Sequence, residues 1–345
     1  MTAKKIAVFN LNVGSAIEYA GDIFVSWLKE LGHDVQEYKL QTECQHTLKF
    51  LIDYNPDLIV INEYHHRPIV VAYLYRAIDY VPIIHIDHSW VRINHWTADN
   101  ISNQYEEVIN MWYYHILRTA NHIFCLNSKP LEEPWNPHVQ DKISNRYYPT
   151  DDAIFNVTKP WADRTKLFCY IGNIIPHKLS SDFLVKVCDT DLIVDCYGSD
   201  FSGDGAYSRA WERAQEAGNI RYHGLIPQDK IADVMNEYKY FVMPHDGYEP
   251  FNWVLKQCAF CGTIPLITND RNTHLYNGKW LDWAAGLYMG CTYTDDFISN
   301  LEGLVCDRLD HSEMSEMISK IAMTMFPYQE FKEEFQNKVR ELLNG

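Results

Sequence analysis

The sequence has no apolar run long enough to cross a membrane. A helical span needs about 18 consecutive apolar residues, and no stretch of this 345-residue chain approaches that length. The first five residues, Met-Thr-Ala-Lys-Lys, run directly into the apolar segment Ile6–Phe9, without the layout of a secretory signal peptide. These absences predict a cytoplasmic protein without membrane contact.

Positive charge is also scarce. The chain carries 30 Lys and Arg against 46 Asp and Glu, which gives a formal net charge of −16. Residues 1–150 account for −5 of this charge and residues 151–345 for −11, so neither half is basic. Because a large nucleic-acid interface needs clustered Lys and Arg, composition gives no sign of one, although a local basic patch remains compatible with it.

Cysteines do not form a recognisable set of pairs. There are nine, an odd number, and several lie in apolar, strand-like segments, as Cys125 and Cys169 do. This usage favours free thiols in a reducing compartment. Cys258 and Cys261 form a Cys-x-x-Cys motif, but no second pair or suitably spaced His accompanies it. Core packing is therefore favoured over a metal or redox site.

The first forty residues follow a strand–helix–strand pattern. It predicts a strand over Ile6–Leu11, a loop containing Gly14, a helix over Ala16–Leu31 and a second strand from Asp34. Such a unit indicates an α/β fold with parallel strands, and the chain length suits two domains. The loop lacks the Gly-x-Gly-x-x-Gly dinucleotide motif, so Gly14 is equally compatible with a plain tight turn and with a ligand-facing loop.

Polar residues follow two further predicted strands in the first half, Leu58–Ile61 and Val81–Ile86. The candidate site residues after these strands are His65, His66, Arg67, Asp87, His88, Ser89 and Arg92. Ligands of parallel sheets bind at the carboxyl ends of the strands, where these residues lie. A surface loop remains an alternative for the paired histidines, and a structural loop role remains one for Asp87 and His88.

Glycines end three predicted strands in the second half. These are Lys166–Ile171 before Gly172, Asp191–Tyr197 before Gly198, and Asn219–His223 before Gly224-Leu225-Ile226-Pro227. Asn173 follows Gly172 directly, and Lys178 comes six residues after that glycine. A cation there suits a phosphate ligand, while a solvated lysine in the first turn of a helix is the alternative.

The stretch Met243 to Ile267 predicts a complete crossover unit. A buried strand ends at Met243, Phe251–Phe260 reads as one amphipathic helix closed by Cys261-Gly262, and Thr263–Ile267 starts the next strand. The loop and helix supply as candidates His245, Asp246, Gly247, Tyr248, Glu249, Phe251, Asn252, Trp253 and Gln257. The free N–H groups of such a helix N-terminus suit an anion or sugar oxygens.

Glu249-Pro-Phe-Asn252 and Ala259-Phe-Cys-Gly262-Thr-Ile-Pro265 resemble the nucleotide-sugar signature of retaining glycosyltransferases with the GT-B fold. That family has Glu-x-Phe-Gly, a second Glu two turns on, and then Ala-x-x-Gly-x-Pro. Gln257 stands here at the position of the second Glu. Gly172 and Lys178 match the spacing of the family's Gly-Arg and Lys, with Asn173 in place of the Arg.

The resemblance implies an α/β fold of two Rossmann-like domains, the GT-B fold, with a cleft between them. It places an N-terminal acceptor domain at residues 1–150 and a C-terminal nucleotide-sugar domain at residues 160–326, with a last helix at 328–345 that packs back on the first domain. Implied donor-binding residues are Gly14, Gly172, Asn173, Lys178, Gly198, Leu225, Ile226, Pro227, His245, Asp246, Gly247, Tyr248, Phe251, Asn252, Trp253 and Gln257.

The same resemblance implies catalytic roles for Asp87, His88 and Glu249. Glu249 would orient the sugar hydroxyls, Asp87 or His88 would lie near the anomeric carbon, and Lys178 would stabilise the leaving diphosphate. The implied co-substrate is a UDP-sugar, with no cofactor. No Asp-x-Asp motif stands at the end of a predicted strand, so we expect no metal.

Asp87-His88-Ser89 and Cys261–Pro265 resemble more closely the T4-like phage α-glycosyltransferases that modify 5-hydroxymethylcytosine in DNA. This implies transfer of glucose or arabinose to DNA in the host cytoplasm, with His65, His66, Arg67, Ser89 and Arg92 as acceptor contacts. The acidic first half opposes that acceptor. Alternatives are a surface polysaccharide, a lipid-linked or small-molecule acceptor, a non-catalytic nucleotide-sugar-binding protein, and an epimerase of similar fold.

Overall fold

Two parallel sheets organise the chain in its computed structural model. The structure describes residues 2–10, 16–39, 44–62, 66–88, 119–126, 140–146, 148–176, 178–244, 253–268, 290–291, 294–306 and 310–344. The chain divides into one unit of Met1–Pro149 with Tyr328–Gly345 and a second unit of Thr150–Pro327. We call these the first and the second domain.

Strands of the first domain alternate with helices, as the opening pattern predicts. The strands are β1 (Lys5–Asn10), β2 (Asp34–Lys39), β3 (Leu58–Asn62), β4 (Ile83–Asp87), β5 (His122–Cys125) and β6 (Ile143–Asn145). The described helices are α1 (Ala16–Glu30), α2 (Cys44–Tyr54) and α3 (His66–Asp79). The sheet order is β2-β1-β3-β4-β5-β6, and every neighbouring pair is parallel. Strands β3 and β4 are buried along their whole length, which explains their unbroken Ile- and Val-rich sequences.

The second domain repeats this architecture. Its strands are β7 (Lys166–Ile171), β8 (Val194–Tyr197), β9 (Ile220–Tyr222), β10 (Tyr238–Met243), β11 (Ile264–Thr268) and β12 (Gly290–Cys291). Its described helices are α4 (Ser181–Val187), α5 (Ala206–Glu216), α6 (Ile231–Glu237), α7 (Trp253–Phe260), α8 (Thr294–Cys306) and α9 (Ser312–Met325). The sheet order is β12-β11-β10-β7-β8-β9, again with parallel pairs. The predicted α/β class with two parallel-sheet domains is confirmed.

Each sheet contains one point where the strand order reverses. In the first sheet the chain passes from β1 to β2 on one side and returns to β3 on the other, so the reversal lies between β1 and β3. In the second sheet it lies between β7 and β10. The carboxyl ends of the strands at such a reversal form a natural ligand crevice, because the following loops turn away from each other there.

The last helix, α10 (Tyr328–Asn344), belongs to the first domain and packs on α1. The Trp27 indole N–H donates to the Tyr328 hydroxyl at 2.9 Å, and the rings of Phe24 and Phe335 are 4.9 Å apart. Phe331 and Phe335 are buried. Burial of these aromatic rings, rather than helix propensity alone, holds α10 in place.

Helix α7 differs from the sequence prediction. It was expected to be amphipathic, but every residue from Leu255 to Phe260 is buried, including Lys256 and Gln257. The reason is that α9 covers the side away from the sheet: the Ser319 hydroxyl donates to the Phe260 carbonyl oxygen at 2.8 Å. Burial lowers the pKa of Lys256 well below its ordinary value.

The sequence pattern of Glu302–Met325 predicts late helical structure, but this segment is interrupted, since α8 ends at Cys306 and α9 starts at Ser312. The Asp310 carboxylate accepts a hydrogen bond from the Ser312 N–H at 2.9 Å, a local turn that starts a new helix. The aromatic-rich segment Asn100–Ala120 also has a helical pattern, but its residues 100–118 lie outside the described residues. In the described parts of the chain, no helix has the length and apolarity needed to span a bilayer.

A buried arginine ties together the amino ends of three strands in the second domain. Arg164, just before β7, is 2% exposed. Its guanidinium donates to the carbonyl oxygens of Lys159, Tyr238 and Cys261 and to the Thr263 hydroxyl, at 2.6 to 3.1 Å. Tyr238 opens β10, Cys261 and Thr263 directly precede β11, and Arg164 itself lies two residues before β7, so this one side chain fixes the sheet edge opposite to the expected site.

Candidate functional site

The carboxyl edge of the second sheet brings the predicted glycines together. The Gly172 N–H donates to the Tyr197 carbonyl oxygen, and the Gly198 N–H donates to the Gly224 carbonyl oxygen, each at 2.9 Å. One step further, the Ile174 N–H donates to the Ser199 carbonyl oxygen at 2.9 Å. The segments after β7, β8 and β9 therefore continue side by side beyond the strands. Because the N–H groups of Gly172 and Gly198 are already bonded, these two glycines contribute a close approach of the backbone.

Gly198 is the residue that allows this approach. It has φ +141°, a conformation that only glycine adopts readily, and a Cβ at this position would lie 1.8 Å from the Gly172 carbonyl oxygen. No side chain of any size fits without moving the two loops apart. The sequence predicted a ligand role for Gly198, and the structure adds a steric reason for the glycine.

Replacing Gly198 with alanine is expected to destabilise the second domain by about 3 kcal/mol, from backbone strain and the clash with Gly172. Equilibrium urea unfolding measures this. Gly203→Ala is the matched control, because Gly203 also has a positive φ, +62°, but open space around its Cβ position. It should cost about 1 kcal/mol. Equal losses in the two variants would contradict the close-approach explanation.

Lys178 lies next to the reversal between β7 and β10. The segment that follows β10 meets the start of α4 there, since the Ser180 N–H donates to the Pro244 carbonyl oxygen at 2.8 Å. Ser180 is the N-cap of α4, so Lys178 lies in a turn two residues before that cap and not in the first helical turn. Lys178 is half-buried, whereas Asn173, at the position of the family's arginine, is exposed.

Helix α7 carries two of the predicted donor-binding side chains. The Trp253 indole N–H donates to the Thr150 hydroxyl at 2.8 Å, so this ring is used within the domain. Gln257 is 1% exposed, and its Nε2 has no hydrogen-bond partner among the described residues. Because buried amide groups in proteins are almost always paired, this donor is a candidate contact for a ligand oxygen.

The loop after β9 exposes apolar surface at the same edge of the sheet. Leu225 is 66% exposed, and Ile226 and Pro227 follow it into a short helical turn at Gln228–Lys230. Phe201, three residues after Gly198, is 60% exposed and was not among the predicted residues. Exposed aromatic and aliphatic side chains of this kind are suited to contact a flat ring. The position of Phe201 soon after a strand-ending glycine is the sequence signal that was available.

At the carboxyl edge of the first sheet, Asp87 and His88 occupy different environments. Asp87 is fully buried, and the Cys125 thiol donates to its Oδ2 at 3.6 Å. His88 follows directly and contacts the Asn62 Oδ1 through Nε2 and the Tyr148 hydroxyl through Nδ1, each at 2.8 Å. Neither Asn62 nor Tyr148 was predicted, because their closeness to His88 depends on strand order. Asp87 and His88 are therefore both held by hydrogen bonds to side chains of the first domain.

Three histidines of the first domain are held neutral. Burial lowers the pKa of His85 and of His88 to about 3, with the neighbouring His85 contributing to the shift at His88. Burial, followed by the charge of Lys338, lowers the pKa of His122 to about 4. Because the unfolded chain binds protons at these positions near pH 6.5 and the folded chain does not, acid favours unfolding.

We therefore expect the first domain to lose about 2 kcal/mol of stability per histidine between pH 6.5 and 5. Stability should be fully present above about pH 6.5 and fall as the pH drops towards the folded pKa values. Urea unfolding midpoints at pH 7, 6 and 5 measure the slope. The His122→Asn variant should have a slope about one third smaller. A midpoint that does not move between pH 7 and 5 would contradict the neutral, buried state.

Several predicted residues lie outside the described part of the chain. These are Gly14, His65, Ser89, Arg92, His245, Asp246, Gly247, Tyr248, Glu249, Phe251 and Asn252. His66 and Arg67 open α3, but the structure does not describe their side chains. Among the described residues, no group of three or more His, Cys, Asp or Glu side chains is arranged to hold a metal ion.

Comparison with solved structures identifies the architecture as the GT-B fold. Sucrose-phosphate synthase from Thermosynechococcus elongatus superposes with a TM-score of 0.73 and 15% identity, over 99% of both chains. HepE from Anabaena, solved in complex with UDP, has a TM-score of 0.67 and 13% identity over 98% of this chain and 100% of that one. A glycosyltransferase from Rickettsia africae has a TM-score of 0.67 and 12% identity over 99% of both chains.

At these identities the likeness shows the fold alone. The sequence matches no protein-family model and no curated protein sequence. The protein thus has the GT-B fold, with two parallel-sheet domains, and each domain has polar residues at the carboxyl edge of its sheet.

Proposed function

We propose that the protein is a glycosyltransferase that takes its sugar from a UDP-sugar. The observation that carries this proposal is the contact between the segments after β7 and β10 at the strand-order reversal of the second sheet, where the Ser180 N–H donates to the Pro244 carbonyl oxygen two residues after Lys178. This is where a doubly wound sheet binds nucleotides. The similar HepE structure contains UDP in one crystal and UDP-glucose in another, which supports a UDP-sugar as the donor here.

Lys178 is proposed to stabilise the departing diphosphate. When the bond to the anomeric carbon breaks, negative charge grows on the phosphate oxygens, and a cation held at that point lowers the barrier. The position of the family's second cation holds Asn173, a neutral side chain. Lys178 therefore carries more of the stabilisation than in a site with two cations, and an amide at Asn173 contributes a neutral donor.

Gln257 is proposed to bind an acceptor oxygen of the nucleotide. Its buried Nε2 has no partner among the described residues, and a ribose hydroxyl oxygen or a base carbonyl would supply one. A Glu carboxylate at this position would accept hydrogen bonds from two hydroxyl groups and would carry a full negative charge. Gln offers a neutral NH2 group as donor and a neutral carbonyl oxygen as acceptor. Leu225, Ile226 and Phe201 provide apolar surface for the base.

The proposed acceptor is the hydroxymethyl group of 5-hydroxymethylcytosine in DNA, with retention at the anomeric carbon. Support comes from the similarity of Asp87-His88-Ser89 and of Cys261–Pro265 to the phage α-glycosyltransferases. Glu249 is proposed to orient the sugar, and Asp87 and His88 to serve the transfer step. The residues proposed for the acceptor are His65, His66, Arg67, Ser89 and Arg92. We propose that the reaction uses no metal and no cofactor.

The test is turnover of UDP-glucose and UDP-arabinose with duplex DNA that contains 5-hydroxymethylcytosine. Unmodified duplex of the same sequence is the control, and nucleoside mass after digestion is the readout. A gain of one sugar on the modified DNA alone would support donor and acceptor together, and its mass would separate hexose from pentose. The proton coupling at the new anomeric centre would report retention or inversion.

Other outcomes separate the alternatives. Slow UDP release that is independent of DNA would remove the DNA acceptor and keep the transferase, with a polysaccharide, lipid-linked or small acceptor in its place. Conversion of the sugar of the UDP-sugar into its epimer, without transfer to any acceptor, would indicate an epimerase. UDP binding by calorimetry without release from any donor would indicate a nucleotide-sugar-binding protein, the outcome that Asn173 and Gln257 would then explain.

A further inference from the structure

A row of polar side chains crosses the strand-order reversal of the first sheet. Asn10 ends β1 and Asn62 ends β3, and the two residues are paired in register. The Asn62 Nδ2 donates to the Asn10 Oδ1 at 2.8 Å, and the Asn62 Oδ1 contacts the His88 Nε2 at 2.8 Å. Both asparagines are fully buried. This row links three neighbouring segments of the carboxyl edge by side chains alone.

The far end of the row fixes the orientation of every amide in it. The Asn10 Nδ2 lies 3.1 Å from the Glu18 carbonyl oxygen and 2.8 Å from the Glu37 Oε1. A backbone carbonyl can only accept, so Nδ2 must be the atom that faces it, and the Asn10 Oδ1 must face Asn62. Asn62 then presents its NH2 group to Asn10 and its oxygen to His88. The His88 Nε2 must therefore carry a proton.

The second nitrogen of His88 follows from the first. The ring is neutral, because burial and the neighbouring His85 lower the pKa of His88 to about 3. A neutral imidazole with its proton on Nε2 has a lone pair on Nδ1. The Tyr148 hydroxyl, 2.8 Å from Nδ1, is therefore the donor. Among the described residues, Asp87 precedes His88 directly, Asp22 and Glu37 face the Asn10 Nδ2, and Lys39 pairs with Glu37.

We propose that Asn10 and Asn62 are positioning residues that hold His88 as the Nε2–H tautomer, so that Nδ1 is a fixed acceptor for a hydroxyl group. The Tyr148 hydroxyl fills that place here, and a substrate hydroxyl replaces it during transfer. This rests on the proposed function, which gives His88 its role in the transfer step. An acceptor of fixed tautomer holds a hydroxyl by its proton and leaves the oxygen lone pairs free to react.

Nitrogen NMR of the full-length protein with ¹⁵N-labelled histidine tests the tautomer without any substrate. The His88 signals are assigned by their loss in His88→Gln. We expect a protonated Nε2 and an unprotonated Nδ1 in the wild type at pH 7, and loss of this single-tautomer signature in Asn62→Ala. A proton on Nδ1 in the wild type, or an unchanged signature in Asn62→Ala, would overturn the proposal.

Kinetics test the consequence. Asn62→Ala should lower kcat/KM about 10- to 100-fold, with UDP affinity unchanged. Asn62→Asp should restore much of the activity at high pH, because its carboxylate also accepts from Nε2–H. That carboxylate raises the pKa of His88, so the kcat/KM of Asn62→Asp should fall with acid in the range where the wild type is flat. Wild-type kinetics in both variants would refute the positioning role.

Asn121→Ala is the matched control. Its Oδ1 accepts the Ile83 N–H at 3.0 Å, so it supports β4 from the opposite end. It should lower the melting temperature without changing the His88 spectrum or the pH profile. A shift of either in Asn121→Ala would point to a merely structural effect. If the wild-type protein transfers no sugar, the proposed function fails and the spectra still decide the tautomer.

Discussion

Lys178→Ala is expected to lower kcat for sugar transfer by about 100- to 1000-fold, the usual cost of removing one charge-stabilising donor at a transition state. The reason is that Asn173 stands where the similar glycosyltransferases have an arginine, so this position supplies no cation in addition to Lys178. UDP release from the preferred UDP-sugar measures the effect. Lys178→Arg should retain more activity than the alanine variant, because the charge remains although its geometry changes.

Lys186→Ala is the control for this experiment. Lys186 lies near the end of α4 and forms a surface ion pair with Asp182 at 2.8 Å. The Lys186→Ala variant therefore removes the same charge from the same domain as Lys178→Ala does. Its kcat should equal that of the wild type. If Lys178→Ala has the kcat of the wild type, or if Lys186→Ala loses as much kcat as Lys178→Ala, the proposal that Lys178 stabilises the leaving group is wrong.

Arg164→Met is expected to destabilise the second domain by roughly 3 to 5 kcal/mol. The substitution removes the guanidinium from the carbonyl oxygens of Lys159, Tyr238 and Cys261, which are then left without these donors. Each buried acceptor that loses its partner costs about 1 to 3 kcal/mol, and methionine fills the volume without replacing any of the hydrogen bonds. The free energy of unfolding in urea measures the loss.

Arg213→Met provides the comparison, because Arg213 is exposed on α5 in the same domain. Its stability should remain within about 0.5 kcal/mol of the wild type. Arg164→Lys should fall between the two, since one ammonium group reaches fewer of the four acceptors. A loss below about 1 kcal/mol for Arg164→Met would show that water or a rearrangement satisfies these carbonyls.

Strands were the part of the fold that the sequence predicted best. The predicted strand Leu58–Ile61 is observed as Leu58–Asn62, and Ile6–Leu11 as Lys5–Asn10 within the described residues. Strands buried on both faces have continuous apolar sequences bounded by polar or glycine residues, a signal that is contained in the strand itself. The glycines after β7, β8 and β9 were identifiable for the same reason.

What covers an element is not contained in its own sequence. Lys256 and Gln257 made α7 look amphipathic, but α9, more than fifty residues later, closes over it, as the hydrogen bond from Ser315 to the Gly262 carbonyl oxygen shows. Asn10 and Asn62 meet only because β1 and β3 are neighbours in register. Their effect on His88 needs strand order, pairing and amide orientation together, none of which a linear motif carries.

The return of α10 to the first domain has a consequence for synthesis on the ribosome. Phe24 and Trp27 precede the whole second domain in the chain, whereas Phe331 and Phe335, which pack against them, follow it. Every strand of the second domain is therefore synthesised before the partners of Phe24 and Trp27 exist. The aromatic core of the first domain can form only after the second domain has been translated.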